Sequence, residues 1–201
     1  MPGPHLPLEL VLRDGTPVRV RPLDGGDRDY VAEAYRRLSP EARYHRFWTV
    51  TGEIGGKMLD RLLNEDPGNH EIWCVYDPSR TFTPLGAASW WRSKTEPEEA
   101  EFSVTVLDDE QNRGIATLLL AILWLTSFRN GITSLVGNVM PENLTACAWM
   151  RRTGASGHWD GYMNTFRWQL EDLDAIPPTR AGMELAEWLA KLAPGLLAGG
   201  S

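Results

Sequence analysis

Cysteine is scarce in this chain of 201 residues: two occur, Cys74 and Cys147. Each sits inside an apolar segment, which excludes a disulfide scaffold and predicts reduced, buried thiols in a cytoplasmic protein. Long hydrophobic runs are lacking too. The longest, Ala116 to Leu125, is about half of the ~20 residues that a membrane span requires. Positive charge is in deficit, 20 Lys and Arg against 27 Asp and Glu, for a net charge of −7. That disfavours nucleic acid and anionic membranes as partners and mildly favours a cationic acceptor such as an amine. His5, His45, His70 and His158 show no metal-ligand spacing with Cys or Asp, so no metal is expected. No G-x-x-x-x-G-K-S/T loop and no complete G-x-G-x-x-G is present. No Ser-His-Asp or Cys-His constellation can be argued. Met1 to Leu12 has neither the basic start nor the continuous apolar core of a secretory signal.

A composition of 42% hydrophobic and 23% charged residues is that of a globular chain, and the length allows one full domain with a small appendage. Alternation over Thr16 to Leu23 predicts a strand after the turn at Asp14-Gly15. Asp27 to Leu38 reads as a helix. Ser39 then caps a second helix with Pro40 at its first position. Ile54 to Leu63 has helical spacing, and Glu71 to Tyr76 and Leu85 to Arg92 read as a hairpin. The polar stretch Ser93 to Glu99 reads as a loop, and Ala100 to Leu107 as a strand. An all-round apolar helix follows, then a strand at Ser134 to Val139 and a helix at Asn143 to Arg152 that Gly154 closes. Asn164 to Leu170 is the last strand. Beyond Pro177-Pro178, an amphipathic helix over Ala181 to Leu192 is expected outside the compact unit, on it or on a second copy of the chain. A frayed, Gly-rich tail runs from Pro194.

The most informative stretch is Gln111-Asn112-Arg113-Gly114-Ile115-Ala116, between the strand and the apolar helix. The first N–H groups of a helix have no partner within it, and the helix dipole concentrates about half a positive charge there. Gly114 lets the backbone approach a phosphate, and Ala116 adds little bulk. An ordinary strand-to-helix turn with Gly near the cap is the competing reading of those residues.

The order strand, Q-x-x-G-x-A, helix resembles the pyrophosphate-binding motif of the GCN5-related N-acetyltransferase (GNAT) family. Met140-Pro141-Glu142-Asn143, after a strand and opening a helix, is similar to that family's second conserved region. Arg13-Asp14-Gly15-Thr16 and Leu38-Ser39-Pro40-Glu41-Ala42-Arg43-Tyr44 resemble the GNAT domains of bacterial protein-lysine acetyltransferases. The resemblance implies a mixed α/β sheet flanked by helices over residues 16–170, with an N-terminal extension over 1–15 and a C-terminal helix and tail over 171–201. It also implies acetyl-CoA, or another short acyl-CoA, as cofactor and a primary amine as acceptor, on a protein lysine or a small molecule.

Residue by residue, the resemblance sets the main chain of Gln111, Asn112, Arg113, Gly114, Ile115, Ala116 and Thr117 around the diphosphate, with Arg113 able to add charge. It sets the backbone of Val104, Thr105 and Val106 along the pantetheine arm and Asn143 against the cofactor. Glu101 begins an apolar strand where several relatives hold their general base. Burial beside Trp90 or Trp91 would raise its pKa. The alternative for Glu101 is a strand-end carboxylate paired with Arg92 or another surface cation. Many relatives carry a Tyr four residues before the Gly that ends the second helix, but here that position is Met150, which has no proton to give. The reading is an acetyl-CoA-dependent N-acyltransferase. A non-catalytic acyl-CoA-binding module is the alternative, and an interaction protein without cofactor is a third.

Overall fold

The computed structural model describes residues 7–64, 66–80 and 84–198. Strands β1 (Leu8–Val11) and β2 (Pro17–Pro22) form an antiparallel hairpin, turned by Gly15 in the left-handed region at φ +84°. Helices α1 (Arg28–Arg37), α2 (Pro40–Phe47) and α3 (Gly56–Leu63) follow. Next come β3 (His70–Tyr76), β4 (Pro84–Arg92) and β5 (Glu99–Val106). The crossover helix α4 (Ile115–Arg129) leads to β6 (Ser134–Val139). Helix α5 (Leu144–Arg152), β7 (Ser156–Trp159), β8 (Asn164–Gln169) and α6 (Arg180–Leu197) complete the chain. Eight strands hydrogen-bond in the order β1-β2-β3-β4-β5-β6-β8-β7.

The sheet is mixed because one connection is a helical crossover. β5 and β6 pair in parallel through Glu99–Glu101 against Ser134–Val136, which requires a connection long enough to hold α4. β6 and β8 pair antiparallel over the full length of both strands, Ser134↔Gln169 to Val139↔Asn164. Local signals set the helix ends. The Ser39 hydroxyl accepts from Ala42 N at 3.1 Å, with Pro40 at the first helical position. α5 closes with Gly154 at φ +99°, Ala155 N bonding Met150 O at 3.0 Å and Gly154 N bonding Arg151 O at 3.1 Å. That is a Schellman ending, which favours glycine at the left-handed residue.

The chain packs as two compact units. Of the described residues, one takes those through Pro67, then those within Glu71–Ser89 and Val104–Leu119. Its core has two clusters, Leu23, Leu62, Leu63, Ile72, Cys74 and Tyr76 in the first and Tyr35, Leu38 and Leu107 in the second. Phe47 and Ile54 pack against both clusters. The other unit takes Gly68–His70, Trp90–Ser103 and the chain from Leu120 on. There Phe102 meets Trp168 edge-on at 5.3 Å, and Trp149 meets Trp168 at 6.1 Å. Both cysteines are free and buried. Burial pushes the Cys74 thiol up to about 12 and raises that of Cys147. No helix among the described residues is long and apolar enough to cross a membrane.

Three features depart from the sequence reading. β1 falls within the stretch read as an extension, and β7 was unread because its four residues are all exposed, leaving no alternation to detect. Helix α6 runs on through Pro194 to Leu197, where a frayed tail was expected. It also packs within the second unit: Leu185, Trp188, Leu189, Leu192 and Leu196 are buried, and Arg129 donates to Leu196 O at 3.1 Å. At its start the Thr179 hydroxyl caps Gly182 N at 3.0 Å and donates to Arg152 O.

Gly182 gives a direct check on this docking. A Cβ there would lie 2.1 Å from Pro177 O and 3.2 Å from Arg152 O, both main-chain atoms. Alanine is the better helix former by about 1 kcal/mol, yet main-chain crowding of this kind outweighs it. Gly182→Ala should destabilise by about 1–3 kcal/mol, read as a lower Tm in thermal denaturation. An unchanged or raised Tm would mean that α6 is not seated this way.

Candidate active site

The site is built where β5 gives way to α4, within the first unit. After Leu107 the chain makes a 3₁₀ turn, Asp108–Glu110, and reaches Gln111 extended. Asn112 then has φ +62° and Gly114 φ +87°. Left-handed residues on either side of Arg113 give the alternation of hand that turns successive N–H groups into one concavity, the geometry of an anion nest. The first bond into the helix runs from Leu118 N to Gly114 O at 2.9 Å. The N–H groups of Ile115 and Ala116 therefore precede the ladder, at the positive end of a helix whose first turn holds no acidic residue. This arrangement fits a diphosphate.

A polar network holds the turn. The Arg113 guanidinium donates through Nε to Asp14 Oδ2 at 2.7 Å, through Nη2 to Thr16 Oγ1 at 2.6 Å and through Nη1 to Glu110 Oε2. Glu110 is buried, and its second oxygen accepts from Arg80 Nη1 at 2.7 Å. Arg13 donates to Asn112 O. On the other flank, Asp108 accepts from Ser39 N at 3.1 Å and from its hydroxyl at 3.2 Å. Arg113 thus turns its charge toward the β1-β2 turn and the buried Glu110. Its contribution to an anion site runs through the main chain rather than the guanidinium that the sequence reading offered.

The strand leading in is placed by a glycine that the sequence reading passed over. A Cβ on Gly86 would sit 3.0 Å from Thr105 O, 3.0 Å from Ile115 Cγ2 and 3.2 Å from Val106 Cγ2. Its absence lets β4 close on β5 and on the first turn of α4. Thr105 O faces β4, and Leu107 N donates to Leu85 O at 3.0 Å. Strand alternation therefore turns the peptide groups of Val104 and Val106 to the opposite edge, past the Glu101↔Val136 pair.

The remaining candidates lie in the second unit. Glu101 is exposed, so the burial expected beside Trp90 or Trp91 is missing. Trp90 is buried and directs its indole N–H to Thr126 Oγ1 at 3.3 Å. Arg92 is not the partner of Glu101 either; it donates to Gly68 O, Asn130 O and Pro97 O. Asn143 caps α5, its Oδ1 accepting from Ala146 N at 3.0 Å, which leaves Nδ2 as the side chain's donor. Met150 is buried, with Cε 2.8 Å from where a Gly137 Cβ would stand. It fills core and offers no proton. Of the acidic loop, Glu99 pairs with Arg167, while Glu96 and Glu98 are exposed. No cluster of three or more metal-ligating side chains occurs among the described residues.

The Asp14–Arg113 pair makes a pH prediction. Hydrogen bonds from Arg113, then from Thr16, lower the Asp14 pKa to about 2. The pair's stabilisation is complete above the ordinary aspartate range near pH 4 and fades as pH falls toward about 2. Because Asp14 is 38% exposed, solvent screening holds the effect to about 1 kcal/mol or less. Asp14→Asn should lower Tm by a few degrees at pH 7, and the gap should close by about pH 2. A gap that persists unchanged at low pH would show that the ion pair is not its source.

Comparison with known proteins agrees with this geometry. No family model matches the chain. It is 27% identical over 149 residues to the acetyltransferase Pat of Mycolicibacterium smegmatis, covering 74% of this chain and 44% of that protein. It is 30% identical over 129 residues to the acetyltransferase PA5475 of Pseudomonas aeruginosa, covering 60% of this chain and 64% of that protein. The chain therefore spans less than two thirds of either relative. In structure it superposes on the GNAT domain of S. lividans PAT with a TM-score of 0.75 and 22% identity, over 81% of this chain and 96% of that one. Strand order and superposition give the chain the fold of the GNAT domains, and its sequence is similar to those two acetyltransferases.

Proposed function

We propose that the chain transfers an acyl group from acetyl-CoA, or another short acyl-CoA, to a primary amine on a protein lysine or a small molecule. The observation that carries this reading is the turn of alternating hand from Asn112 to Gly114, opening directly into α4. Bound there, an acyl-CoA supplies a thioester carbonyl for direct attack by the amine. The main-chain amides of Asn112 to Thr117 hold the diphosphate, and the peptide groups of Val104 and Val106 line up the pantetheine arm. Asn143 Nδ2 is the donor on the second helix mouth.

Acyl transfer also needs a proton removed from the ammonium of the acceptor. Glu101 is the carboxylate on the catalytic strand, and its exposure suits a proton relay through water. The departing thiolate takes its proton from solvent, since Met150 occupies the place of the usual donor. That same methionine, buried against Gly137, favours one second reading: a non-catalytic acyl-CoA-binding sensor. Two free cysteines suit a cytoplasmic setting for either.

Thiol release from acetyl-CoA across a panel of amines, beside CoA binding by calorimetry, separates the readings. Turnover with at least one amine is expected; tight CoA binding without turnover on any amine would favour the sensor. Gly114→Val should raise the KM for acetyl-CoA at least about tenfold, because a β-branched residue is strained at φ +87° and crowds the phosphate. Unchanged cofactor binding in that variant would remove the assignment. Glu101→Gln should lower kcat about 10²–10⁴-fold, and a near-normal rate would leave Glu101 without a catalytic role.

A further inference from the structure

The first unit holds a half-open cavity of about 80 Å³ beneath α1, α2 and α3 that the transferase reading does not use. A single water needs about 10–15 Å³, so this space holds several heavy atoms. Its walls include Tyr35, Leu38, Phe47, Ile54 and Ala87, with Thr105 of the catalytic strand. The cavity lies between the two core clusters of that unit, which Phe47 and Ile54 bridge.

The border of the cavity is cationic. Arg46 is part of its lining and lies over the Phe47 ring at 4.9 Å. The Arg43 guanidinium stands 5.8 Å from the Tyr35 ring centroid, and its Nε is buried with no hydrogen-bond partner. A guanidinium in the lining, with a second against the lining ring of Tyr35, repels an ammonium, so the amine acceptor is not its occupant. The remaining reactant is the acyl group, which is uncharged and joins the cofactor at the strand that carries Thr105.

We infer that this cavity is the acyl-chain pocket, and that the preferred donor carries an aliphatic acyl chain of about four carbons rather than acetyl. The inference rests on the transferase reading, because the chain reaches the cavity only from a thioester held along β5. Thr105 lines the cavity, while the peptide groups of its neighbours Val104 and Val106 turn to the pantetheine edge. A chain longer than acetyl thereby passes from the thioester onto apolar surface instead of into water. Each methylene seated there leaves water, which makes affinity climb with chain length until the space is full.

The test is calorimetric binding of free CoA, acetyl-CoA and butyryl-CoA to the full chain, with no acceptor needed. Butyryl-CoA should bind about tenfold tighter than acetyl-CoA, the return on burying two methylenes. Ala87→Leu, which fills the cavity, should abolish that difference and leave free CoA binding unchanged. Ala34→Leu, from the opposite wall on α1, makes the same test should Ala87→Leu fail to fold. Equal affinity for acetyl- and butyryl-CoA in the wild type, with CoA still bound, would overturn the pocket and leave the transferase reading standing. A preference that survives in both filled variants would also overturn it. Failure to bind any of the three would overturn both.

Discussion

A short reversal of backbone hand between β5 and α4 is the constraint on which the site depends. Asn112 and Gly114 take positive φ, a conformation that costs a non-glycine residue about 1 kcal/mol or more. The strain at Asn112 persists because neighbours hold it: Arg13 bonds its carbonyl, and Arg113 is fixed by Asp14, Thr16 and Glu110. The N-terminal hairpin is therefore part of the site's scaffolding, although none of its side chains is assigned to the acyl donor. An anion nest needs amides fixed in advance, since ordering them at the moment of binding would cost affinity.

The same economy of means shows in α4. Its first turn presents amides, and Leu118 to Trp124 are apolar on every side, each at most 3% exposed. A stretch buried on every side cannot shift without breaking core contacts. Gly86 completes the arrangement by letting Ile115, Val106 and the carbonyl of Thr105 meet β4 closely. On the proposed reading, main-chain positions do most of the recognition.

Much of this was legible in the chain because the signals are local. Ser39-Pro40 marked a helix start, Gly154 a helix end, and the apolar run after Gly114 a buried helix, each through backbone chemistry within a few residues. What stayed hidden is long-range. Nothing near Arg113 says that its guanidinium meets Asp14 and Thr16, which lie 99 and 97 residues away in sequence. The exposure of Glu101 was hidden as well, because alternation assigns it to a face without saying what covers that face. β7 escaped because the burial contrast that makes a strand readable is absent there, and the length of α6 because Pro194 reads as a stop although the helix continues through it. The cavity beneath α1 to α3 is invisible to composition, being made of the same apolar residues as the core around it.

The central claim is that amides at the mouth of α4 grip the diphosphate of an acyl-CoA. Amide proton and nitrogen shifts of the uniformly ¹⁵N-labelled chain, titrated with CoA, test it most directly. The account predicts that the largest perturbations fall on Asn112 to Thr117, with protons moving downfield as they bond phosphate oxygens. Perturbations concentrated elsewhere, with those six amides unmoved at saturation, would contradict it.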